Sequence, residues 1–538
     1  MKKISRIVIV TVLMLSALAT AIALSLSGEK HTLAPGDKPL RSSGFSLSDE
    51  ELALCTGESY LCGAFFDGER LTDVRWSSSN PSVASVASDG MITAHAMGET
   101  QIKAEYSENR VAEAKLWVYS DPADATAQAI LSLADNGSDE SFVTLATLAR
   151  QLGCAKNPAV RHEAELLGGL VRFSEMGAGG SGSPNEAWQQ TDNALTLAEI
   201  QGLDRDTLRR AALSAYCQGE KLANDITISF VGDCTFAYFN ETDSPRMFPA
   251  VYRKSGSVTY PLDLTKNVFG ADDITMVNFE GTLTESRSHK NKTFYFRGEP
   301  AYVDILTHSS VEAVTVENNH SFDYFDQGYN ETLSHLRDAK IRYTTFHSPA
   351  VIGTGDYHIV MLSLSMVSSY YKPEFRSAIE DYIRYYRGDK TIIIANLHWG
   401  VEGSGTPEAW QVEAAHSIID AGADMVIGHH PHVLQGIEQY NGRYIVYSLG
   451  NFSFGGNSSA NSPSTIIFRA SFTEDASGGR STHVSVVPCY TTSSGSTVNN
   501  FRPTPLFGED GKTVINRLLT LSGKLDSGIR QIPWNQIP

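Results

Sequence analysis

The stretch GADMVIGHHPHVLQGIEQYNGRYIVYSLGNFSF, residues 422–454, decides how this chain is read. Met425–Ile427 is an apolar run of strand type, closed by Gly428 and followed at once by His429, His430 and His432. A second run, Tyr444–Tyr447, leads in the same way to Gly450 and Asn451. Runs that are apolar on both faces suit the central strands of a buried sheet. In α/β folds the ends of such strands are where ligands bind. Just upstream, Thr406-Pro407-Glu408 supplies a cap, a first-turn proline and an early acid, the signature of a helix start. That helix shows Trp410, Val412, Ile418 and Ile419 on one face and stops at Gly422, a residue suited to the C′ position.

The same grammar extends back to Ile226. Asp233 follows ISFVG, Glu280 follows TMVNF, and Asn318, Asn319 and His320 follow VEAVTVE; His398 follows TIIIANL. Helical patterns separate some of these runs, as after Asp326, where Tyr329, Leu333 and Leu336 share a face. Strands alternating with helices predict an α/β domain. One polar residue at a strand end means little. Here carboxylate, imidazole and carboxamide groups recur at successive strand ends, and these are the groups a borderline divalent cation prefers.

The series Gly232-Asp233, Asn278-x-Glu280, Asn318-Asn319-His320-x-x-Asp323-Tyr324, His398-Trp399-Gly400, Gly428-His429-His430-Pro431-His432 and Ser448-Leu449-Gly450-Asn451-Phe452 resembles the motif series of the CapA family. That family is named for poly-γ-glutamate capsule synthesis, and its fold is similar to calcineurin-like metallophosphoesterases. The resemblance spans residues 225–495 and implies a four-layer αββα sandwich. It also implies metal ligands at Asp233, Glu280, Asn319, His398, His430 and His432, with Glu280 in the slot of a bridging acid. His320 corresponds to the acid that faces the transferring group, and Asp323 to the residue that orients it. Asn451 corresponds to a residue tying down its strand end. The implied cofactor is a divalent metal, Mn, Fe or Zn. The opening Asp-x-His of the wider superfamily reads Asp233-Cys234-Thr235 here, so one histidine is missing and one or two ions stay open. Arg297, in the FYFRG stretch Phe294–Gly298, is a candidate anion contact.

Such a site suits hydrolysis of a phosphoester, or hydrolysis or transfer at an amide such as a γ-glutamyl link. The resemblance points to a cell-surface protein of capsule synthesis, export or attachment, probing an anionic polymer such as poly-γ-glutamate and implying a membrane capsule-synthetase complex as partner. Two rivals stand beside it: a metal-dependent hydrolase of an envelope phosphoester or amide, and a non-catalytic surface protein that binds or assembles polymer. Fold alone does not choose among them.

The remainder of the 538 residues fits an extracytoplasmic setting. Lys2, Lys3 and Arg6 precede an uncharged apolar run from Ile7 to Leu26, with alanines at 17, 19, 21 and 23. Residues 1–26 therefore read as a cleaved signal or a retained anchor, with the bulk of the chain outside the cytoplasm. The formal net charge of −18 argues against a nucleic-acid partner. Residues 27–45 read as a linker. Residues 46–119 show short alternating strands, and VRWSSSNPSVASVASDGMITAHAMGETQIKAEY resembles a bacterial Ig-like module of the BIG2 type, a small β-sandwich with Asp89-Gly90 as a hairpin turn and Trp76 in its core. Such a module serves as a spacer or an adhesion element. Residues 120–224 carry helical spacing and form a connector. The tail, 496–538, is weakly patterned and either wraps the domain or stays mobile. Six cysteines are too few for a disulfide scaffold, although Cys55 and Cys62 are close enough in sequence to pair.

Overall fold

Residues 44–107, 110–198, 203–367, 373–474, 479–495 and 497–538 are described by a computed structural model. The signal or anchor expected at 1–26, and all but the end of the linker, fall outside them. Among the described residues, no helix is long and apolar enough to cross a membrane. The chain divides into two compact units. The first reaches Ala215, and the second comprises Tyr216–Pro538 with the short pieces Asp135–Ser138 and Met176–Gly180.

In the first unit, strand Arg110–Tyr119 lies between Gly98–Ser107, antiparallel, and Glu51–Cys55, parallel. Ala84–Val86 and Met91–Ala94 pair antiparallel across the Asp89-Gly90 turn. Leu52, Ile92, Ile102 and Leu116 fill the space between the strands. Trp76 is only partly buried and packs at the margin of this core, because its strand, Arg75–Ser78, is the edge of its sheet. All six cysteines are free thiols. Cys62 turns inward to within 3.6 Å of Ser48 Oγ rather than toward Cys55.

Five helices follow: Pro122–Asn136, Asp139–Gly153, Pro158–Gly177, Pro184–Ala198 and Arg205–Leu222. The second of them and its C-terminal turn dock on strand Glu51–Cys55. Arg150 pairs with Glu51 at 2.6 Å, Lys156 with Asp49 at 2.5 Å, and Ala155 bridges to Ala53. Helix Pro158–Gly177 buries Glu163, 5% exposed, with Oε2 lacking a hydrogen-bond partner. Burial pushes this carboxyl from its ordinary 4.5 up to about 7. The neutral acid is therefore the form the fold prefers, and the stability it contributes relative to an ionised group is present below pH 4.5 and lost as pH rises to 7. Glu163→Gln should match the wild type in thermal melts near pH 4.5 and exceed it by roughly 1–2 kcal/mol near pH 8. Stability curves that run parallel across this range would show the carboxyl to be solvated.

The second unit is built on two sheets. In the first, β1 (Ile226–Thr235), β2 (Ile274–Phe279), β3 (Ala313–Thr315) and β4 (Arg342–Thr344) run parallel, with α1 (Phe325–Asp338) between β3 and β4. In the second, β5 (Ala350–Thr354) pairs antiparallel with β6 (Tyr357–Ser365). β6, β7 (Thr391–His398) and β8 (Met425–His429) run parallel, and β10 (Arg443–Val446) joins β8 with β9 (Ile437–Tyr440) outside it. β11 (Asn451–Phe454) returns to pair with β1 in the first sheet. β12 (Ser464–Glu474) and β13 (Arg480–Tyr490) extend that sheet antiparallel.

Side-chain alternation along the strands decides the packing. Ile359, Met361, Ile392 and Ile394 of the second sheet share one core with Ile228, Phe230, Met276 and Phe468 of the first. Their neighbours Val360, Leu362, Ile393 and Ala395 face the opposite way, onto α2 (Pro373–Tyr386) and α3 (Ala409–Ala421). The α3 end is as its sequence predicts, with Gly422 at φ 117°. The tail does not dangle among the described residues. Its helix α4 (Gly508–Ser522) buries Val514, Ile515 and Leu518 in the shared core.

Candidate metal centre

The C-terminal ends of β1, β2, β3, β7 and β8 converge, and Asp233, Glu280, Asn319, His320, Asp323, His398, His430 and His432 lie there. Two glycines make the approach of the strands possible. A Cβ on Gly232 would stand 1.9 Å from the Gly450 carbonyl, and one on Gly428 2.0 Å from that of Tyr447. Any larger residue would push apart the strands that carry Asp233 and His429. The turn after β8 is itself unusual: His430 and His432 adopt φ of 94° and 59°, a backbone region that non-glycine residues enter only where the surroundings hold them.

Asp233 is fully buried. Its Oδ1 accepts from Asn278 Nδ2 at 2.7 Å and lies 3.5 Å from His429 Nδ1, while its Oδ2 is 3.0 Å from His432 Nδ1. Burial opposes ionisation, yet His429 and His432 hold the carboxyl well below its usual range. Glu280 is also fully buried, and neither of its carboxylate oxygens has a hydrogen-bond partner. His320 Nε2 lies 3.7 Å from Glu280 Oε1 and His432 Nε2 lies 3.9 Å from it. Burial, reinforced by Asp233, raises the Glu280 carboxyl. Burial lowers the affinity of His432 for a proton, but Glu280 and Asp233 more than offset this and raise it.

His398 Nε2 is 2.8 Å from Asn319 Oδ1, and its ring centroid is 4.8 Å from that of His430. Burial, then the neighbouring His430, holds His398 well below the usual imidazole range. Burial and His432 take His430 down to about 4. These two rings are therefore neutral at pH 7 and can offer lone pairs.

The ligand atoms of Asp233, Glu280 and His432 all lie within 4.8 Å of one another, and so do those of Glu402, His430 and His432. A buried carboxylate with two unpartnered oxygens among imidazoles is costly unless a cation compensates it. The donor set therefore fits a divalent metal, by the chemistry of its oxygens and nitrogens.

His320 is held from the other side. Its Nδ1 lies 2.7 Å from Asp323 Oδ2, which also accepts from the Phe296 N–H at 2.8 Å. Lys292 Nζ reaches Asp323 Oδ1 at 2.7 Å and donates to the Asn319 carbonyl at 3.0 Å. The Phe296 ring covers the imidazole at 4.2 Å. An orienting carboxylate of this kind fixes tautomer and ring position. Arg297 does not meet the expectation of an anion contact. It is buried, and Glu241 takes its guanidinium at 2.7 Å, with the Thr284 carbonyl accepting from Nη1. The FYFRG stretch contributes through Phe296 instead.

Sequence reading missed three residues here. Asn278 was read only as a motif residue, yet it is bonded to Asp233. Lys292 stands in a loop with no periodic signal. Glu402, four residues after His398, lies in a loop whose approach to the histidine turn no local pattern shows. Cys234, next to Asp233, is fully buried, and burial pushes its thiol up, so it stays protonated. Asn451 does more than tie down its strand, since its Oδ1 lies 2.9 Å from His432 Nδ1.

Residues 227–456 match the family model described as bacterial capsule synthesis protein PGA_cap, and residues 44–129 match the bacterial Ig-like domain, group 2. Among curated relatives, the PGA biosynthesis protein CapA of Bacillus subtilis is 29% identical over 249 residues, covering 43% of this chain and 63% of the relative. The capsule biosynthesis protein CapA of Bacillus anthracis is 26% identical over 211 residues, covering 34% and 50%. A probable polyglutamine synthesis accessory protein of Mycobacterium tuberculosis is 27% identical over 242 residues, covering 39% and 63%. The chain thus spans between half and just under two thirds of the length of these relatives. Among solved structures, TT1561 of Thermus thermophilus is 10% identical and covers 48% of this chain and 97% of its own, at a TM-score of 0.25 that is too low to bear on the fold. The chain carries a CapA-family capsule synthesis domain behind an N-terminal bacterial Ig-like domain of group 2.

Proposed function

We propose that this chain is an accessory protein of poly-γ-glutamate capsule synthesis, working at the outer face of a bacterial membrane through a divalent-metal centre with hydrolase- or transferase-like chemistry. The observation that carries the reading is Glu280: a fully buried carboxylate with neither oxygen hydrogen bonded, close to His432 and His320, in a segment similar to capsule synthesis proteins. The two sheets sharing a core, with helices outside, are consistent with a four-layer αββα sandwich.

Asp233, Glu280, His430 and His432, with Asn319 and His398, are the residues that would hold Mn, Fe or Zn. Such an ion, when bound, activates water and polarises a phosphoryl or acyl oxygen. His320 turns Nδ1 to Asp323, and the charged ring, which burial disfavours and Asp323 favours, would hold on Nε2 the proton that a leaving atom takes. Lys292 fixes Asp323, and Asn278 fixes Asp233. The net charge of −18 would repel a polyanion, so a local cation at the site also helps to admit one. The partners that follow are the polymer and a membrane capsule-synthetase complex, reached by a chain secured or delivered through residues 1–26.

The test incubates the full chain, loaded with Mn²⁺, separately with poly-γ-glutamate and with bis(p-nitrophenyl) phosphate. Metal-dependent change in polymer length on size-exclusion chromatography is the expected result. Phosphodiester hydrolysis with the polymer unchanged would favour an envelope phosphoesterase. Binding of polymer with no bond broken in either substrate would leave an assembly role.

A further inference from the structure

The first strand of this centre lacks a ligand: where Asp-x-His would place a histidine, Thr235 stands, fully buried, with an Oγ1 that has no hydrogen-bond partner. The loop after β7 brings another donor in. Its glycines Gly400 and Gly403 take φ of 85° and 76°, and the Gly403 N–H donates to the Pro431 carbonyl at 2.8 Å. That bond ties the loop to the turn between His430 and His432. Glu402, one residue before it, is carried to within 4.8 Å, ligand atom to ligand atom, of both histidines.

His430 supplies the second observation. It is 7% exposed, and its Nδ1 is buried with no hydrogen-bond partner, while its backbone is held at a positive φ. An imidazole nitrogen buried and unpaired at a strained turn is costly, and a cation lying between it and Glu402 would satisfy it. His432 belongs to both groups, Asp233–Glu280–His432 and Glu402–His430–His432. Two adjoining ligand sets that share a residue are the arrangement of a two-ion centre.

We propose that Glu402 completes a second metal position with His430 and His432, restoring from the β7 loop the ligand that the first strand lacks. This rests on the metal reading above. The second position is the more exposed of the two, since Glu402 lies at the surface while Asp233 and Glu280 are buried. It is therefore the position that exchanges its ion and meets an incoming anionic substrate first.

The test uses the full chain and Glu402→Gln, each equilibrated with Mn²⁺ and dialysed, with metal counted by elemental analysis and its environment read by electron paramagnetic resonance. The wild type should bind two ions and show the broadened spectrum of an exchange-coupled pair. Glu402→Gln should bind one and show the uncoupled six-line spectrum, while the metal-free forms of the two proteins melt alike because the side chain is exposed. A coupled pair that persists in Glu402→Gln, at unchanged stoichiometry, overturns the assignment and leaves the metal reading intact. A single ion in the wild type also overturns it. No bound ion in the wild type removes the metal reading itself.

Discussion

On the proposed metal centre, a His430→Ala/His432→Ala double variant is expected to lose bound metal and any metal-dependent activity together while keeping its fold. His432 alone lies 3.0 Å from Asp233 Oδ2 and 3.9 Å from Glu280 Oε1, so it links the two buried carboxylates. His430 supplies the unpaired Nδ1 beside it. Without these rings neither group of three ligands survives. Removing a metal from such a site forfeits several kcal/mol of transition-state stabilisation, so the rate should fall by about 10³-fold or more. Both positions have positive φ, a region that histidine enters more readily than alanine, so a small backbone cost adds to the change. Asp233 does lose a compensating partner, and a stability loss of roughly 1–3 kcal/mol should accompany the change. Elemental analysis, steady-state rates and a thermal melt on the same preparation separate these effects. A folded double variant that still holds its metal would mean that the ion sits elsewhere.

For Arg469→Ala, the expected result is the largest loss of stability in the second unit. Arg469 extends from β12 into a fully buried position. Its Nε pairs with Glu220 at 2.8 Å, Nη1 donates to Ser229 Oγ at 3.0 Å, and Nη2 donates to the carbonyls of Ala271 and Cys217 at 3.0 and 3.2 Å. One guanidinium thus satisfies the ends of several segments. Truncating it leaves Glu220 buried without its partner, together with the carbonyls of Val268, Cys217 and Ala271 and a cavity. Breaking one side of a buried pair costs about 3–5 kcal/mol. A second variant, Arg469→Ala/Glu220→Gln, should recover part of that loss, because it removes the stranded charge. Urea denaturation of the three proteins at neutral pH measures it. A loss below about 1 kcal/mol for Arg469→Ala would mean that water reaches the network and replaces the bonds.

The two experiments probe different dependences. The histidine turn belongs to the candidate metal centre, with its positive-φ backbone and buried charges. The Arg469 network shares no residue with it and ties β12 to Ser229 of β1 and to Cys217 and Glu220. Metal and activity lost with only a small loss of stability in the first, and stability lost with metal binding retained in the second, would separate the site from its scaffold.

Local chemistry made the strands of this protein legible from the chain alone. A buried strand must be apolar on both faces, so ISFVG, TIIIANL and MVIG announce themselves without knowledge of their neighbours. The polar residue that ends each run is equally visible, and the structure brings Asp233, Glu280, Asn319, His320, His398, His430 and His432 to one place. The end of α3 was also written locally, at Gly422, whereas its cap falls on Glu408, paired with Gln411, and not on Thr406. Which group meets which was a tertiary matter. Asp233 and His432 are almost two hundred residues apart, and their contact exists because two sheets end at the same edge. Asn278, Lys292 and Glu402 carry no periodic signal and acquire their importance only from the groups that the fold sets beside them. The same holds for Arg297, whose charge is taken by Glu241, and for Cys55 and Cys62, which are near in sequence yet remain free thiols, with Cys62 against Ser48. Secondary structure answers to neighbours a few residues away, whereas partners of a buried charge answer to packing across the whole unit, and packing is not written in any one segment.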